Sequence, residues 1–168
     1  ERNIYAEETG RVVLPGPPIP QPGVPGPEPW MSARHDGLAL ESWASEAQVA
    51  AALQSGDWHQ LLTLGERLVE VKTARYLDED DGWGLSGTAT IPRHYLAQVV
   101  WQMAVCDVDR VDLVAFGTVG DDYRVYSIER HPGLEKAVVN RCRAWYQRHV
   151  ACDEMNPPPP DASEGCRR

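Results

Sequence analysis

Two periodicities in the sequence predict an α/β domain. Apolar residues at helical spacing predict helices over 1–11, 45–54, 92–105 and 132–150. Apolar and β-branched runs predict strands over 12–14, 30–32, 38–41, 68–73, 111–116 and 123–129. The fifth of these runs is almost continuously apolar, which is typical of a strand covered on both faces. The order of these elements predicts a sheet flanked by helices.

The second predicted helix has a recognisable start and end. Ser45 is a good N-cap residue, and Gly56 follows the helix, where glycine commonly ends one. Val49, Ala50 and Leu53 recur on one side. This spacing predicts that they form the packed side of an amphipathic helix.

The third and fourth helices each carry an apolar stripe. Pro92 opens the third helix, whose stripe is formed by Leu96, Val99, Val100 and Met103. A separate polar stripe of Tyr95, Gln98 and Gln102 faces either solvent or an active site. In the fourth helix the apolar positions are Leu134, Ala137, Val138, Cys142, Trp145 and Tyr146.

Two segments fall outside this pattern. Residues 15–29 contain eight prolines and three glycines, which predicts a semi-rigid surface loop. A hairpin insertion is favoured there over a PxxP ligand for a partner domain. Residues 153–168, with four consecutive prolines, predict a disordered tail after a domain over 1–152. The first helix begins without a cap, so we expect the domain to lack its N-terminal part in this chain.

Composition bounds the class of protein. Hydrophobic content of 42% and charged content of 24% are those of a soluble globular protein. No apolar run approaches the roughly 20 residues of a membrane span, and the first residues of the sequence lack the basic-then-apolar pattern of a signal peptide. The four cysteines form no C-x-x-C pair and no zinc-like spacing with the histidines, so free thiols are expected. We therefore expect a cytoplasmic protein that does not associate with membranes.

The charge limits how this chain could bind nucleic acid. A net charge of −9 argues against a broad basic surface that neutralises phosphates. Any DNA binding is therefore expected to be local, through metal ions and a few arginines.

The candidate chemistry begins at Glu70 and Lys72, in the fourth predicted strand. Side chains two residues apart in a strand point to the same face, so a carboxylate lies beside an ammonium group. The chain has only two lysines, Lys72 and Lys136, against fourteen arginines. A buried charge without a partner costs several kcal/mol or more, so Lys72 is expected to have a partner and a task.

Two further residues extend this pair. Asp36 precedes Gly37 in a predicted turn, and Gln98 lies on the polar stripe of the third helix. The acidic loop 77–84 is an alternative metal site, although adjacent loop carboxylates are usually solvated.

Together with their surroundings, these residues resemble the PD-(D/E)xK nuclease superfamily, in particular its lambda-exonuclease and YqaJ-type viral recombinase family. The resemblance rests on five blocks in order: Tyr5-Ala6-Glu7-Glu8-Thr9-Gly10, His35-Asp36-Gly37-Leu38, Val69-Glu70-Val71-Lys72-Thr73, His94-Tyr95-Leu96-Ala97-Gln98-Val99 and Ile128-Glu129-Arg130. It implies a restriction-endonuclease-like core with a mixed central sheet flanked by helices.

The resemblance also implies a site. Asp36, Glu70 and the backbone carbonyl of Val71 would bind Mg²⁺ or Mn²⁺, cations that prefer oxygen ligands. Lys72 would position the attacking water and stabilise developing charge, and Gln98 would orient Lys72 or the water.

Phosphate contacts are a weaker part of the implied site. Arg75, Arg93 and His94 are candidates for contacts to DNA phosphates, although ordinary surface charges are the favoured interpretation of all three.

The implied function is a metal-dependent exonuclease that resects double-stranded DNA ends from the 5′ side. Such an enzyme would belong to a phage or prophage recombination system in a bacterial host, form a ring-shaped homo-oligomer and act with a single-strand annealing protein.

Two departures from the family leave alternatives open. The family has a further acidic ligand on its first helix, which falls just before Glu1 in this chain, and His35 stands where proline is common. A catalytically silent DNA- or protein-binding module of the same fold is the first alternative. The second is an unrelated α/β domain in which Glu70 and Lys72 form an ordinary ion pair.

Overall fold

The structure, a computed structural model, describes residues 2–18 and 22–151. Its helices are α1 Arg2–Thr9, α2 Glu46–Ser55, α3 Trp58–Leu62, α4 Arg93–Cys106 and α5 Pro132–His149. Its strands are β1 Val13–Pro15, β2 Val24–Pro25, β3 Ser32–Ala33, β4 Gly37–Leu40, β5 Gly65–Ala74, β6 Arg110–Gly117 and β7 Tyr123–Glu129.

The central sheet has five strands in the order β1-β4-β5-β6-β7. β5 and β6 are parallel, and the other neighbouring pairs are antiparallel. The parallel pair requires a crossover, and α4 provides it. The predicted fold class, a mixed central sheet flanked by helices, is confirmed.

Strand alternation divides β5 between two packed layers. Leu68 belongs to the larger apolar core that contains the buried residues of α4, whereas Val69 packs with Tyr5 of α1 on the opposite face. Because β-strand side chains alternate, Glu70 and Lys72 point to the α4 face and Val71 to the α1 face. The hydrophobic pattern of this strand therefore fixes the layer in which its charged residues lie.

Helix α2 has the predicted ends and part of the predicted packed side. Ser45 accepts a hydrogen bond from the N–H of Gln48 in a capping box, and Gly56 adopts the left-handed conformation at φ 68°. Ala52 is its buried residue, whereas the side chain of Leu53 is 52% exposed. The predicted packed side is right at Val49, which packs partly against the core, and wrong at Ala50 and Leu53, which are exposed.

The proline-rich segment is not simply a surface loop. Val24 of β2 is fully buried, and β2 pairs with β3 in a separate two-stranded sheet. The prediction of a surface loop over 15–29 was therefore wrong at β2, whereas a hairpin-like insertion describes this part. Strand β2 pairs with one neighbour, β3, and such a strand tolerates proline because no second neighbouring strand needs the missing N–H.

Helix α5 is less buried than its apolar sequence pattern predicts. None of its described residues is fully buried, and Trp145 is 50% exposed. Val138 and Val139 pack partly against the core. The apolar spacing predicted the helix correctly, but Leu134, Ala137 and Trp145 on its apolar side are exposed.

Several predictions concern parts that the structure does not describe. Residues 153–168, Glu1 and two of the cysteines lie outside the described residues, so the tail and the domain boundary stay predictions. Cys106 and Cys142 are free thiols. Among the described helices, none combines the length and apolar character needed to cross a membrane.

Candidate active site

The structure brings Glu70, Lys72 and Gln98 together on the α4 face of the sheet. The Lys72 ammonium group donates to Oε1 of Glu70 at 2.5 Å, and the Gln98 side-chain amide donates to the same oxygen at 2.6 Å. The Glu70 side chain is 5% exposed and that of Lys72 is 17% exposed. A buried carboxylate is thus held by one cation that still reaches the surface.

Gln102 completes the environment of Glu70, and sequence reasoning gave it no role. Its side-chain amide donates to Oε2 of Glu70 at 2.7 Å and to the backbone carbonyl of Arg34 at 2.6 Å. The residue is 1% exposed. Its place four residues after Gln98 on the polar stripe was the available signal, because residues four apart share a helix face.

Asp36 lies where the pairing of β4 with β5 ends. The register pairs Gly37 with Val69, and continuing it by one residue places Asp36 opposite Glu70. The Asp36 N–H donates to the Val69 carbonyl at 3.1 Å, and its Oδ2 accepts from the Val71 N–H at 2.8 Å. The carboxylate therefore takes the place of a backbone acceptor and is fixed beside the strand that carries Glu70.

His35 anchors the turn that presents Asp36. It is 4% exposed, its Nδ1 lies 3.0 Å from the Gly37 carbonyl, and its ring meets the Trp58 ring edge-on. Because a carbonyl can only accept, Nδ1 carries the proton. Burial lowers the pKa of His35 to about 4, so the ring is neutral at physiological pH.

Gly16 adds a second restraint on the same turn. Its N–H donates to the Asp36 carbonyl at 3.0 Å, and a Cβ at this position would lie 1.8 Å from the His35 carbonyl oxygen. Only glycine permits this approach of two backbones. The start of the proline-rich segment therefore helps to position Asp36.

Arg75, Arg93 and His94 are exposed and lie near the end of β5 that carries Lys72. Because α4 is the crossover between parallel strands, it starts near the carboxyl end of β5. The ammonium group of Lys72 lies 5.1 Å from the centroid of the Tyr95 ring, in the first turn of α4. Within the described structure, no hydrogen bond joins the three candidate phosphate contacts to Glu70 or Lys72.

The candidate metal ligands near Lys72 fit a hard divalent cation. Asp36, Glu70 and the Val71 carbonyl supply only oxygen atoms, and Mg²⁺ commonly uses one or two protein carboxylates with waters completing its shell. Both oxygens of Glu70 accept hydrogen bonds from side chains, so a cation would share or displace these donors. Within residues 2–18 and 22–151, no group of three or more His, Cys, Asp or Glu side chains is arranged to hold a metal, and this includes the loop 77–84.

Two solved structures match this chain. The crystal structure of LHK-Exo in complex with dAMP matches this chain with a TM-score of 0.52 and 16% identity, covering 89% of this chain and 63% of that one. The shared property is the fold. A crystal structure of the alkaline exonuclease LHK-Exo from Laribacter hongkongensis matches with a TM-score of 0.39 and 15% identity, covering 89% of this chain and 68% of that one.

The sequence comparisons found no relatives. No protein-family profile and no curated protein matches the chain. The chain spans less than two thirds of the length of LHK-Exo in the dAMP complex, so the activity of that protein does not transfer by similarity alone.

Proposed function

We propose that this chain is a metal-dependent deoxyribonuclease that hydrolyses phosphodiester bonds at DNA ends. The observation that carries the proposal is the buried Glu70 carboxylate, which accepts from Lys72, Gln98 and Gln102 beside Asp36. A structural ion pair requires neither two glutamines on one carboxylate nor a second carboxylate fixed next to it. The fold shared with an exonuclease supports the same activity.

Each side chain has a defined task in this proposal. Asp36, Glu70 and the Val71 carbonyl would hold Mg²⁺ or Mn²⁺. When bound, the cation would polarise the phosphoryl group and lower the pKa of a water molecule. Lys72 orients the attacking water and stabilises the negative charge that develops on the phosphoryl oxygens, because its ammonium group is both partly buried and accessible. Gln98 holds Glu70 against Lys72, so the carboxylate is pre-oriented before substrate arrives.

The finer assignments follow from the resemblance in the sequence. We propose 5′-to-3′ resection of duplex ends in a phage-type recombination system, in the cytoplasm of a bacterial host and with a single-strand annealing protein as partner. A ring-shaped homo-oligomer would keep an enzyme of net charge −9 on DNA by enclosing it, because a broad basic surface is not available for this purpose.

The test is degradation of linear duplex DNA labelled at either the 5′ or the 3′ end, with Mg²⁺, Mn²⁺ or EDTA. We expect metal-dependent loss of the 5′ label that disappears in Lys72→Ala. Lys136→Ala, which removes the other and exposed lysine, is the matched control and should keep the original rate. Equal rates in EDTA and Mg²⁺, or in the two variants, would defeat the proposal.

The second candidate is a catalytically silent binding module with this fold. The observation in its favour is that Asp36 and Glu70 supply only two carboxylates within the described residues. Calorimetric titration with Mg²⁺ and Mn²⁺ separates the candidates. Binding in the millimolar range or tighter favours the nuclease, and the absence of binding together with retained DNA affinity favours the module.

A further inference from the structure

A groove lined by aromatic rings runs between α4, α5 and the segment before β3. It has a volume of 380 Å³ and is lined by Trp30, Trp101, Arg141, Cys142, Trp145 and Tyr146. The Trp30 ring stacks on Tyr146 with centroids 5.1 Å apart and an interplanar angle of 19°, and it lies 5.6 Å from Trp101. These rings form a floor, while Trp145 stands half exposed at the side.

The charge of α5 indicates what this groove binds. The helix carries four basic residues and one acidic residue, a net charge of +3 in a chain whose net charge is −9. Arg141, Trp145 and Arg148 follow one another at spacings of four and three, so they share a face. Arg143 is paired with Glu28 at 2.5 Å. An aromatic groove on the basic helix of an acidic protein favours an anionic, aromatic ligand.

The groove continues towards the candidate active site. A second cleft, of 310 Å³, is lined by residues that include Arg34, Gln98, Trp101 and Gln102. Trp101 therefore borders both the cleft beside the donors to Glu70 and the aromatic groove. Its indole N–H donates to the Ser32 carbonyl at 2.9 Å, which holds the ring at this junction.

We propose that the aromatic groove binds single-stranded DNA, with a base stacked on Trp145 and a phosphate contacted by Arg141. Stacking on aromatic side chains combined with basic residues along the backbone is how proteins bind single strands without reading their sequence. The path past Trp101 would connect this strand with Glu70 and Lys72. This proposal rests on the proposed nuclease function, because that function is the reason to identify the bound single strand as DNA.

The test measures binding of a labelled oligothymidylate by fluorescence anisotropy in EDTA, where no cleavage occurs. Trp145→Ala should weaken binding about 5- to 150-fold, the range expected for loss of one stacked base. Trp145→Phe retains a stacking surface and should recover most of the affinity. Trp43→Ala is the matched control, because Trp43 is 59% exposed and lines neither cleft.

A second variant tests the phosphate contact. Arg141→Ala should reduce the slope of log affinity against log salt by about 0.7, the value for one phosphate on a single strand. Arg110→Ala, which removes a half-exposed arginine at the start of β6, should leave the slope unchanged.

Three outcomes would overturn the inference. The first is no binding of the oligonucleotide by the unmodified chain at low salt, and the second is equal affinity in Trp145→Ala and Trp43→Ala. The third is a change in sedimentation of Trp145→Ala with unchanged oligonucleotide affinity, which would assign the groove to contact between two copies of the chain.

The duplex cleavage assay keeps the two proposals separable. If cleavage depends on Lys72 but oligonucleotide binding is unchanged in Trp145→Ala, the proposed DNA-binding role of the groove is rejected and the nuclease proposal stands. Binding that depends on Trp145, without cleavage under any metal condition, supports the groove and rejects the nuclease.

Discussion

The two faces of the central sheet each bury a charged network, and the two networks are built differently. On the α1 face, the Asp112 carboxylate accepts from Tyr5 at 2.6 Å, from Arg67 at 3.0 Å and from Ser127 at 2.7 Å. Arg67 also pairs with Glu66. On the α4 face, Glu70 has one cation, Lys72, and two neutral amides. The carboxylate at the centre of the first network and its tyrosine partner are buried beneath a helix, whereas the carboxylate of the second network is paired with an ammonium group that still reaches the surface.

This difference separates a structural role from a chemical one. Asp112 is 2% exposed and Tyr5 is fully buried, and burial together with the hydrogen bond to Asp112 raises the pKa of the Tyr5 hydroxyl well above its usual value. Asp112 and Tyr5 are therefore both out of reach of a substrate. The Lys72 side chain is 17% exposed, so its ammonium group can contact a second anion while it stays paired with Glu70.

The largest expected effect is on stability, from Asp112→Ala. The substitution leaves Arg67 buried without this carboxylate and removes the partner of Tyr5, which should cost about 3–5 kcal/mol in the free energy of unfolding. Urea unfolding measures the loss. Asp109→Ala, in the turn before β6 with a side chain 87% exposed, is the control and should change stability by less than about 0.5 kcal/mol. Similar losses in both variants would contradict a closed structural network.

Lys72→Ala should show the opposite pattern. Cleavage of duplex DNA should fall about 100- to 1000-fold, because a group that stabilises transition-state charge is removed. The free energy of unfolding should change less than in Asp112→Ala, since Glu70 keeps its two amide donors. Steady-state cleavage and urea unfolding of the same preparations give both values. A large stability loss with unchanged cleavage would make Lys72 an ordinary ion-pair partner.

Gln102→Leu probes the link between Glu70 and the segment that leads to Asp36. Loss of the hydrogen bonds to Oε2 of Glu70 and to the Arg34 carbonyl should cost about 1–3 kcal/mol in stability. It should also weaken Mn²⁺ binding, measured by calorimetry, because Gln102 positions Glu70 directly and Asp36 through the Arg34 carbonyl. Gln147→Leu, an exposed change on α5, is the control. Unchanged Mn²⁺ affinity would limit Gln102 to packing.

The smallest expected effect is on the pH dependence of stability, through Glu66, which pairs with Arg67 and Arg11 on the α1 face of the sheet. The hydrogen bonds from Arg11 lower the pKa of Glu66 from 4.5 to about 2. The folded state therefore binds this proton more weakly than the unfolded state, so the stabilisation is present above pH 4.5 and is lost as pH falls towards 2. Glu66→Gln should be less stable than the original chain at pH 7, with a difference that shrinks between pH 4.5 and 3. A constant difference would exclude the ionised carboxylate as its source.

Sequence reasoning predicted most elements but fewer of their contacts. The strand over 123–129 and the ends of α2 follow from alternation and capping, which are local properties. Helix α3 was missed because five residues are too short for a helical period to be visible. The burial of Val24 could not be predicted, since prolines usually mark surface segments and only the packing of β2 against α4 overrides that rule.

The sequence by itself determined that Glu70 and Lys72 share a face and that Gln98 and Gln102 share another, because strand and helix periods follow from backbone geometry. Only the tertiary structure decided that these two faces meet, that Asp36 lies opposite Glu70, and that Gln102 joins their segments. It also decided that Trp145 of α5 stays half exposed beside the stacked rings of Trp30 and Tyr146. Such contacts depend on register and on the packing of elements far apart in the chain, which local periodicity does not encode.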